Sequence, residues 1–332
     1  MNTAASEAYR ALYEHSGLLD LSSRGKIRVT GQDRQKVLQR LLTQDLRPLQ
    51  PGQGRPAAQL NARGKVLSLL NVLVFDNSFL LDTDENCAPA ALSSLEKLII
   101  TEDAVLNMES RFGHFMLIGP SSADILKAAD IPLPPEPGDF FYHNLFLKES
   151  KECFVIRRES NTFELLVPGD LSEIVQNQLF NTGRIHGLQS VPDDVWEVFR
   201  IEQGLLRFGK DVSEEVTLPE TGLDAALASS TKGCYPGQEV VARTNTYKGH
   251  ARKMRALLLN AAEVPSFGSK IICGGADAGW ITSACVSPKH KVPLALAYLN
   301  RNFFDMQGGD FEIGGVEMKV RVLPLEALRK SP

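Results

Sequence analysis

Ile27-Arg28-Val29-Thr30-Gly31 and Phe115-Met116-Leu117-Ile118-Gly119 are the two stretches on which the fold turns. Each reads as an apolar strand that stops at a glycine, and each is followed by a helical pattern. After the first, Val37, Leu38, Leu41 and Leu42 fall at helical spacing, which predicts a helix over 33–42. Strands are then expected over 57–60, 66–75 and 78–82, a helix over 89–98 and a strand over 104–109. After the second opening the pattern returns: a helix over 122–129, strands over 145–148, 153–159 and 162–167, a helix over 171–179 and a short strand before Val191. Asn77-Ser78-Phe79-Leu80-Leu81 and Asn161-Thr162-Phe163-Glu164-Leu165 match in type, each a hairpin-like turn entering an apolar strand. The two copies read as ferredoxin-like βαββαβ halves of an α+β protein. The other reading is one larger α+β domain whose similar turns arose by chance.

The proline-rich run Pro132-Leu133-Pro134-Pro135-Glu136-Pro137-Gly138 reads as a stiff loop inside the second copy. A helix expected over 195–206 leads onward. From Arg255 short apolar runs (256–259, 270–273, 279–286, 294–299, 311–313 and 316–323) alternate with Gly-Gly turns such as Gly274-Gly275 and Gly314-Gly315. Six short strands at this spacing predict a small antiparallel β-barrel or sandwich. The chain therefore divides into a first α+β repeat over 1–110, a second over 111–244 and a C-terminal β-barrel over 245–332.

The bulk numbers narrow the classes. With 332 residues, 43% apolar, 23% charged and a net charge of −4, the chain is a globular protein of two or three domains. It is neither disordered nor a strongly basic nucleic-acid binder, so direct nucleic-acid binding is not expected. Five cysteines (87, 153, 234, 273 and 285) form no CxxC pair, and six histidines form no HExxH. No disulfide scaffold and no metal site are expected, and a reducing compartment suits the thiols. The N-terminal residues lack the pattern of a signal or transit peptide, and no apolar run reaches membrane-span length. The expected location is cytoplasmic, with no membrane partner.

Three clusters carry chemistry. Lys232-Gly233-Cys234-Tyr235-Pro236-Gly237-Gln238-Glu239 brings a thiol, a cation, an amide and a carboxylate into eight residues. Gly and Pro make it a shaped loop. One reading is a tight turn that contains a Cys; the other is a functional thiol, with Lys232 and Arg243 favouring its charged form. The second cluster runs Arg200-Ile201-Glu202-Gln203-Gly204-Leu205-Leu206-Arg207-Phe208-Gly209 and on through Leu218-Pro219-Glu220-Thr221-Gly222-Leu223. Glu202 reads either as a carboxylate for the paired N–H edge of a ring ligand or as a salt-bridge partner of Arg200 or Arg207. The third, Lys248-Gly249-His250-Ala251-Arg252-Lys253-Met254-Arg255, reads as an anion-binding run or as a charged strand edge. No Ser/His/Asp set can be assembled, and His114, His143 and His186 read as core or surface residues.

The chain resembles the YgfZ family of folate-binding regulatory proteins, relatives of the glycine-cleavage T-protein, an aminomethyltransferase. The resemblance runs through Arg24-Gly25-Lys26-Ile27-Arg28-Val29-Thr30-Gly31, Leu42-Thr43-Gln44-Asp45, Leu60-Asn61-Ala62-Arg63-Gly64-Lys65-Val66, Arg200-Ile201-Glu202-Gln203-Gly204 and Gly279-Trp280-Ile281-Thr282-Ser283. Its discriminating part is Lys232 to Glu239, extended through Arg243, where the T-protein branch has a different, Cys-free sequence. A departure separates the chain from that branch. T-proteins carry Gly-Gly-x-x-Asp-Asp, whose Asp serves aminomethyl transfer; here Ser68 and Leu69 stand where the aspartates would fall, and neither accepts a proton near neutral pH.

The resemblance implies three domains in a ring around a folate cavity, with tetrahydrofolate or a derivative as cofactor. It also implies a role in maintaining iron–sulfur enzymes, tRNA-modifying ones among them, as client partners. Carried over by residue, Cys234 is the functional thiol, Lys232, Gln238, Glu239 and Arg243 are its motif partners, and Glu202 faces the pterin. A folate-dependent aminomethyltransferase and a non-catalytic scaffold are the alternatives.

Overall fold

The computed structural model describes residues 3–135, 140–147, 151–247 and 249–330. The end of the proline-rich loop at 136–138, Lys148 at the end of one expected strand and Lys248 in the basic run lie outside the described residues. The chain forms two compact units, one of residues 1–57 and 70–196, the other of residues 58–69 and 197–332.

The first unit opens with helix α1 (Thr3–Glu14) and strand β1 (Ser16–Asp20). The first copy follows: β2 (Gly25–Thr30), α2 (Arg34–Leu41), β3 (Gln53–Leu60), β4 (Val66–Val74), β5 (Phe79–Thr83), α3 (Ala88–Glu96) and β6 (Val105–Met108). The second is β7 (Phe112–Ile118), α4 (Ser122–Ala128), β8 (Phe140–Leu147), β9 (Lys151–Glu159), β10 (Thr162–Pro168), α5 (Ser172–Gly183) and β11 (Leu188–Ser190). Each copy has three strands between its helices, one more than the ferredoxin-like order.

All these strands join one eleven-stranded sheet in the order β11-β1-β7-β10-β9-β8-β3-β4-β5-β2-β6. The copies run outward in the same internal order from a central antiparallel pairing of β3 with β8, where Gln53 faces Phe141 and Gly54 faces Phe140. β1 departs from this symmetry: it lies between β7 and β11, antiparallel to the former and parallel to the latter.

Strand alternation sends successive side chains to opposite faces. Ile27, Val29, Val72, Phe79 and Leu81 pack with α2 and α3 residues such as Leu38 and Leu95. Phe115, Leu117, Phe163 and Leu165 do the same with Ile125 and Leu179 of α4 and α5. The opposite faces meet each other: Leu73 and Leu80 from the first copy pack with Phe154, Ile156 and Leu166 from the second. Phe75 and Phe154 meet edge to face at 4.8 Å. The sheet halves therefore lie face to face, each with its helices outside.

The same inner layer holds buried charge. Arg24 grips Asp82 with two nitrogens, at 3.0 and 2.8 Å, and donates to Asp84 at 2.8 Å. His114 Nε2 is 3.1 Å from Glu164, to which Arg158 also donates. Burial works to raise the Asp82 and Glu164 carboxyls, but neighbouring cations outweigh it and hold both below their ordinary values.

In the second unit α6 (Asp193–Glu202) enters from the first unit, followed by α7 (Leu218–Thr221), α8 (Asp224–Leu227) and α9 (Gln238–Tyr247). Strands β12 (Arg252–Asn260), β13 (Lys270–Cys273), β14 (Ala276–Ser287), β15 (Val292–Asn300), β16 (Gly308–Ile313) and β17 (Val316–Leu323) come next, and α10 (Leu325–Lys330) ends the described chain. The six strands close into an antiparallel barrel in the order β12-β15-β14-β13-β16-β17. Leu257, Ile271, Ala297, Leu299 and Phe311 fill its interior. Its outer face, with Met254, Ala256, Leu294, Leu296 and Tyr298, is covered by Ile201, Leu218, Tyr235 and the hairpin residues Leu60 and Val66. Gly279 is required by the closure: at φ +139, an added Cβ would lie 1.9 Å from the Tyr298 carbonyl oxygen.

Candidate functional site

The Cys234 stretch is built in two pieces. Its first half is a loop in which the Ser229 hydroxyl accepts the amides of Thr231 and Lys232 at 3.3 and 3.2 Å. Lys232 is only 5% exposed. Its ammonium lies 5.3 Å from the centre of the Tyr235 ring, a cation–π contact inside the unit. Tyr235 is buried as well, so Cys234 stands exposed between two side chains that point inward. The second half is not loop, as the sequence suggested, but the start of α9. The amide of Gln238 bonds to the Tyr235 carbonyl at 3.2 Å, and the helix then buries Val241 against the barrel's outer cover. Gln238 is half-buried, while Glu239 and Arg243, four apart, share one exposed helical face.

Two glycines seat this loop on the turn between β3 and β4. Gly237 has φ +78, and a Cβ there would come within 2.6 Å of the Asn61 carbonyl and 2.8 Å of Gly64 Cα. At Gly64, with φ +71, an added Cβ would come within 2.9 Å of Val240 Cβ. The turn is held by the Asn61 side-chain oxygen, which accepts the amides of Arg63 and Lys65 at 2.9 and 3.1 Å. Lys65 then donates to the Glu215 carbonyl at 2.7 Å. The site depends on a contact between segments far apart in sequence, each able to approach only because it lacks a side chain.

On β4 stand Ser68 and Leu69, the positions that the resemblance aligns with the T-protein aspartates. Ser68 is completely buried and donates to Gln59 Oε1 at 3.3 Å, while Leu69 packs against the barrel's outer cover. A neutral hydroxyl and an aliphatic chain supply no base.

The second cluster holds charges that the sequence did not pair. Arg200 donates to Glu197 with two nitrogens at 2.6 Å, to Asp211 at 2.7 Å and to the Ser283 hydroxyl at 2.8 Å. Asp211 also accepts the hydroxyls of Thr282 and Ser283, at 2.7 and 2.6 Å. Burial works to raise Glu197, but hydrogen bonds from Arg200 and Lys210 outweigh it and hold the carboxyl at about 2. Glu202, by contrast, is 0% exposed; its Oε1 accepts the Ser287 hydroxyl and, at 3.1 Å, the Lys289 amide. The run at 249–255 is largely bound within the unit. Arg252 donates to Glu220 at 2.9 Å and stacks over Trp280, and Lys253 and Arg255 both lie over Phe304.

Cys285 and Cys153 are buried, where Cys234 is exposed. Burial, and then the Glu202 carboxylate, push Cys285 up to about 12; burial, and then Asp170, push Cys153 up to about 11. Among the described residues no group of three His, Cys, Asp or Glu side chains is arranged for a metal ion, and no helix is long and apolar enough to cross a membrane.

The sequence matches the GCVT N-terminal domain over residues 1–231 and the glycine cleavage T-protein C-terminal barrel domain over 252–326. The chain belongs to the glycine-cleavage T-protein family. Among its relatives in this family is an aminomethyltransferase of Caldanaerobacter subterraneus, 25% identical over 96% of this chain and 85% of that protein. A putative chloroplastic transferase of Arabidopsis thaliana is 26% identical over 86% of this chain and 65% of its own length. The T-protein fold itself is matched by the crystal structure of the glycine cleavage system aminomethyltransferase T of Bartonella henselae. It has a TM-score of 0.85 and 21% identity, covering 97% of this chain and 89% of that one.

Proposed function

We propose that this T-protein family member is a tetrahydrofolate-binding accessory protein of the YgfZ type, which supports iron–sulfur enzymes through the Cys234 thiol. The observation that carries the reading is the presentation of Cys234. The thiol is exposed between buried Lys232 and Tyr235, on a loop fixed by the close approach of Gly237 and Gly64. A fixed loop that offers a thiol to solvent suits action on a partner. The replacement of the proton acceptor by Ser68 and Leu69 weighs against aminomethyl transfer as the present activity.

Folate enters this reading from family membership. Of the residues carried over for it, Glu202 does not fit a pterin ligand: it is wholly buried and its Oε1 is engaged by two donors. Lys232 is engaged by Tyr235.

The decisive experiment is complementation of a strain lacking the protein, read as the activity of its iron–sulfur enzymes. Wild type restores activity; Cys234→Ala, folded and expressed to the same level, does not. Full restoration by the variant would remove the thiol from the function. A second reading, folate-dependent aminomethyl transfer, is favoured by relatives named aminomethyltransferase that align along 96% of the chain. Transfer of an aminomethyl group to tetrahydrofolate by the purified protein would establish it in place of the first.

A further inference from the structure

We infer that Glu202 is a positioning residue, the buried acceptor of a clasp that joins the end of α6, the β14–β15 hairpin and α10, and that it does not contact a ligand. Three hydrogen-bonded links form a closed ring. From α6, Glu202 Oε1 accepts the hydroxyl of Ser287 and the backbone amide of Lys289, both on the hairpin. From the hairpin, Lys289 Nζ donates to the Leu328 carbonyl of α10 at 2.8 Å. From α10, Arg329 Nε returns to the Gln203 carbonyl at 3.2 Å, one residue beyond Glu202.

The hairpin is shaped for this grip. The Ser287 hydroxyl accepts the His290 amide at 3.0 Å while donating to Glu202, and the Lys291 amide bonds to the Ser287 carbonyl at 2.8 Å. Lys291 takes the left-handed conformation, at φ +60, that a tight hairpin demands. Beneath the ring Leu328 is fully buried in the apolar cover of the barrel. Gly204, at φ +63, turns the chain away from α6, and an added Cβ there would lie 3.5 Å from Leu328 Cδ1. The carboxylate also acts on its surroundings, since it adds to burial in raising the neighbouring Cys285 thiol.

A carboxylate that receives a ring ligand must be reachable from solvent and have acceptor capacity to spare. Glu202 has no exposed surface, and Ser287 beside it has none either. Removing it strands a buried hydroxyl and a part-buried amide, which is a stability effect. The clasp does not depend on the folate reading, although it revises which residue that reading can use.

The conservative variant separates the two roles. Glu202→Gln keeps an acceptor oxygen for both hairpin donors but loses the charge and gains N–H groups that would repel a pterin N–H edge. The clasp therefore expects Glu202→Gln to melt within about 2 °C of wild type, and Glu202→Ala to melt lower by about 5 °C. Amide exchange at Lys289 and His290 should be faster in Glu202→Ala and restored in Glu202→Gln. Ser287→Ala, which removes one donor, should give a smaller drop that is non-additive with Glu202→Ala. Tetrahydrofolate titrated into Glu202→Gln should bind as to wild type. A Glu202→Gln protein that folds normally but loses tenfold or more in affinity would overturn the assignment. So would unchanged exchange at Lys289 and His290 in Glu202→Ala. Absence of folate binding by wild type would overturn the folate reading alone, because melting and exchange still decide the clasp.

Discussion

Cys234 and Cys285 carry the same functional group in opposite settings. Cys234 is exposed; Cys285 is buried and raised to about 12 by burial and by Glu202. At pH 8 a thiol of that pKa is ionised in roughly one molecule in ten thousand. Iodoacetamide applied to the native protein at pH 8 should therefore alkylate Cys234 first. Cys285 and Cys153 should react only after unfolding, as peptide mass spectrometry would show; alkylation of Cys285 as fast as Cys234 in the folded protein would contradict the packing described. The thiol loop was legible in the sequence because its glycines, its cation and its Cys are all local. The partners of Glu202 were not, since Ser287 and Lys289 lie 85 and 87 positions away, and only the closed barrel brings them to the helix end. Lys232 was legible as a cation beside the thiol, but its place over the ring of Tyr235 was not.

At the scale of elements, the glycine pair between the β3–β4 turn and α9 is a tightly constrained contact. Gly237→Ala must place a methyl 2.6 Å from the Asn61 carbonyl at φ +78. The combined overpacking and backbone strain should cost about 2–3 kcal/mol. The measurement is a urea unfolding curve, with a lower midpoint and unchanged slope as the expected result. Gly233→Ala, where an added Cβ meets nothing within 4 Å, serves as the neutral control. Most strands were readable as short, nearly continuous apolar runs, the pattern expected where both faces are buried, as in β5 and β10. Several elements escaped, α1, α7, α8 and α10 among them, and two others show why. β1 has only five residues and takes its place in the sheet from non-local pairing with β7 and β11. The start of α9 was masked by Pro236 and Gly237 just ahead of it, residues that signal a loop while here they end one and admit a helix.

For the molecule as a whole, its dependence on acid follows from the carboxylates held below their ordinary range. In the first unit burial works to raise Glu109, but hydrogen bonds from Arg111 and Arg28 outweigh it and bring it from 4.5 to about 2; Asp82 and Glu164 are lowered too. Glu197 in the second unit is at about 2. A carboxyl lowered on folding contributes its full stabilisation above its unfolded value and loses it as pH falls through the folded one. Stability should thus be flat above about pH 5 and fall steeply between about pH 4.5 and 2. Urea midpoints at pH 6, 4 and 2.5 would show this; equal midpoints at all three would mean that these ion pairs add nothing net. The repeat was readable because each copy announces itself with the same strand-to-glycine opening. The charged layer where the sheet halves meet was not, because Asp82, His114 and Glu164 come from separate strands and only the face-to-face packing makes them neighbours.

The β3–β4 turn leaves one unit for the other and returns: residues 58–69 belong with 197–332, while their flanks belong with 1–57 and 70–196. On the ribosome this short segment is made early, yet Ala58, Leu60 and Val66 complete an apolar cover whose other members begin at Ile201, and Tyr235, Leu296 and Leu328 among them emerge only with the last third of the chain. Until then the nascent hairpin has an unfinished face. The second unit cannot be excised as a contiguous fragment without leaving part of its own core behind, and the two units are tied by the order of synthesis as well as by the peptide bonds between them.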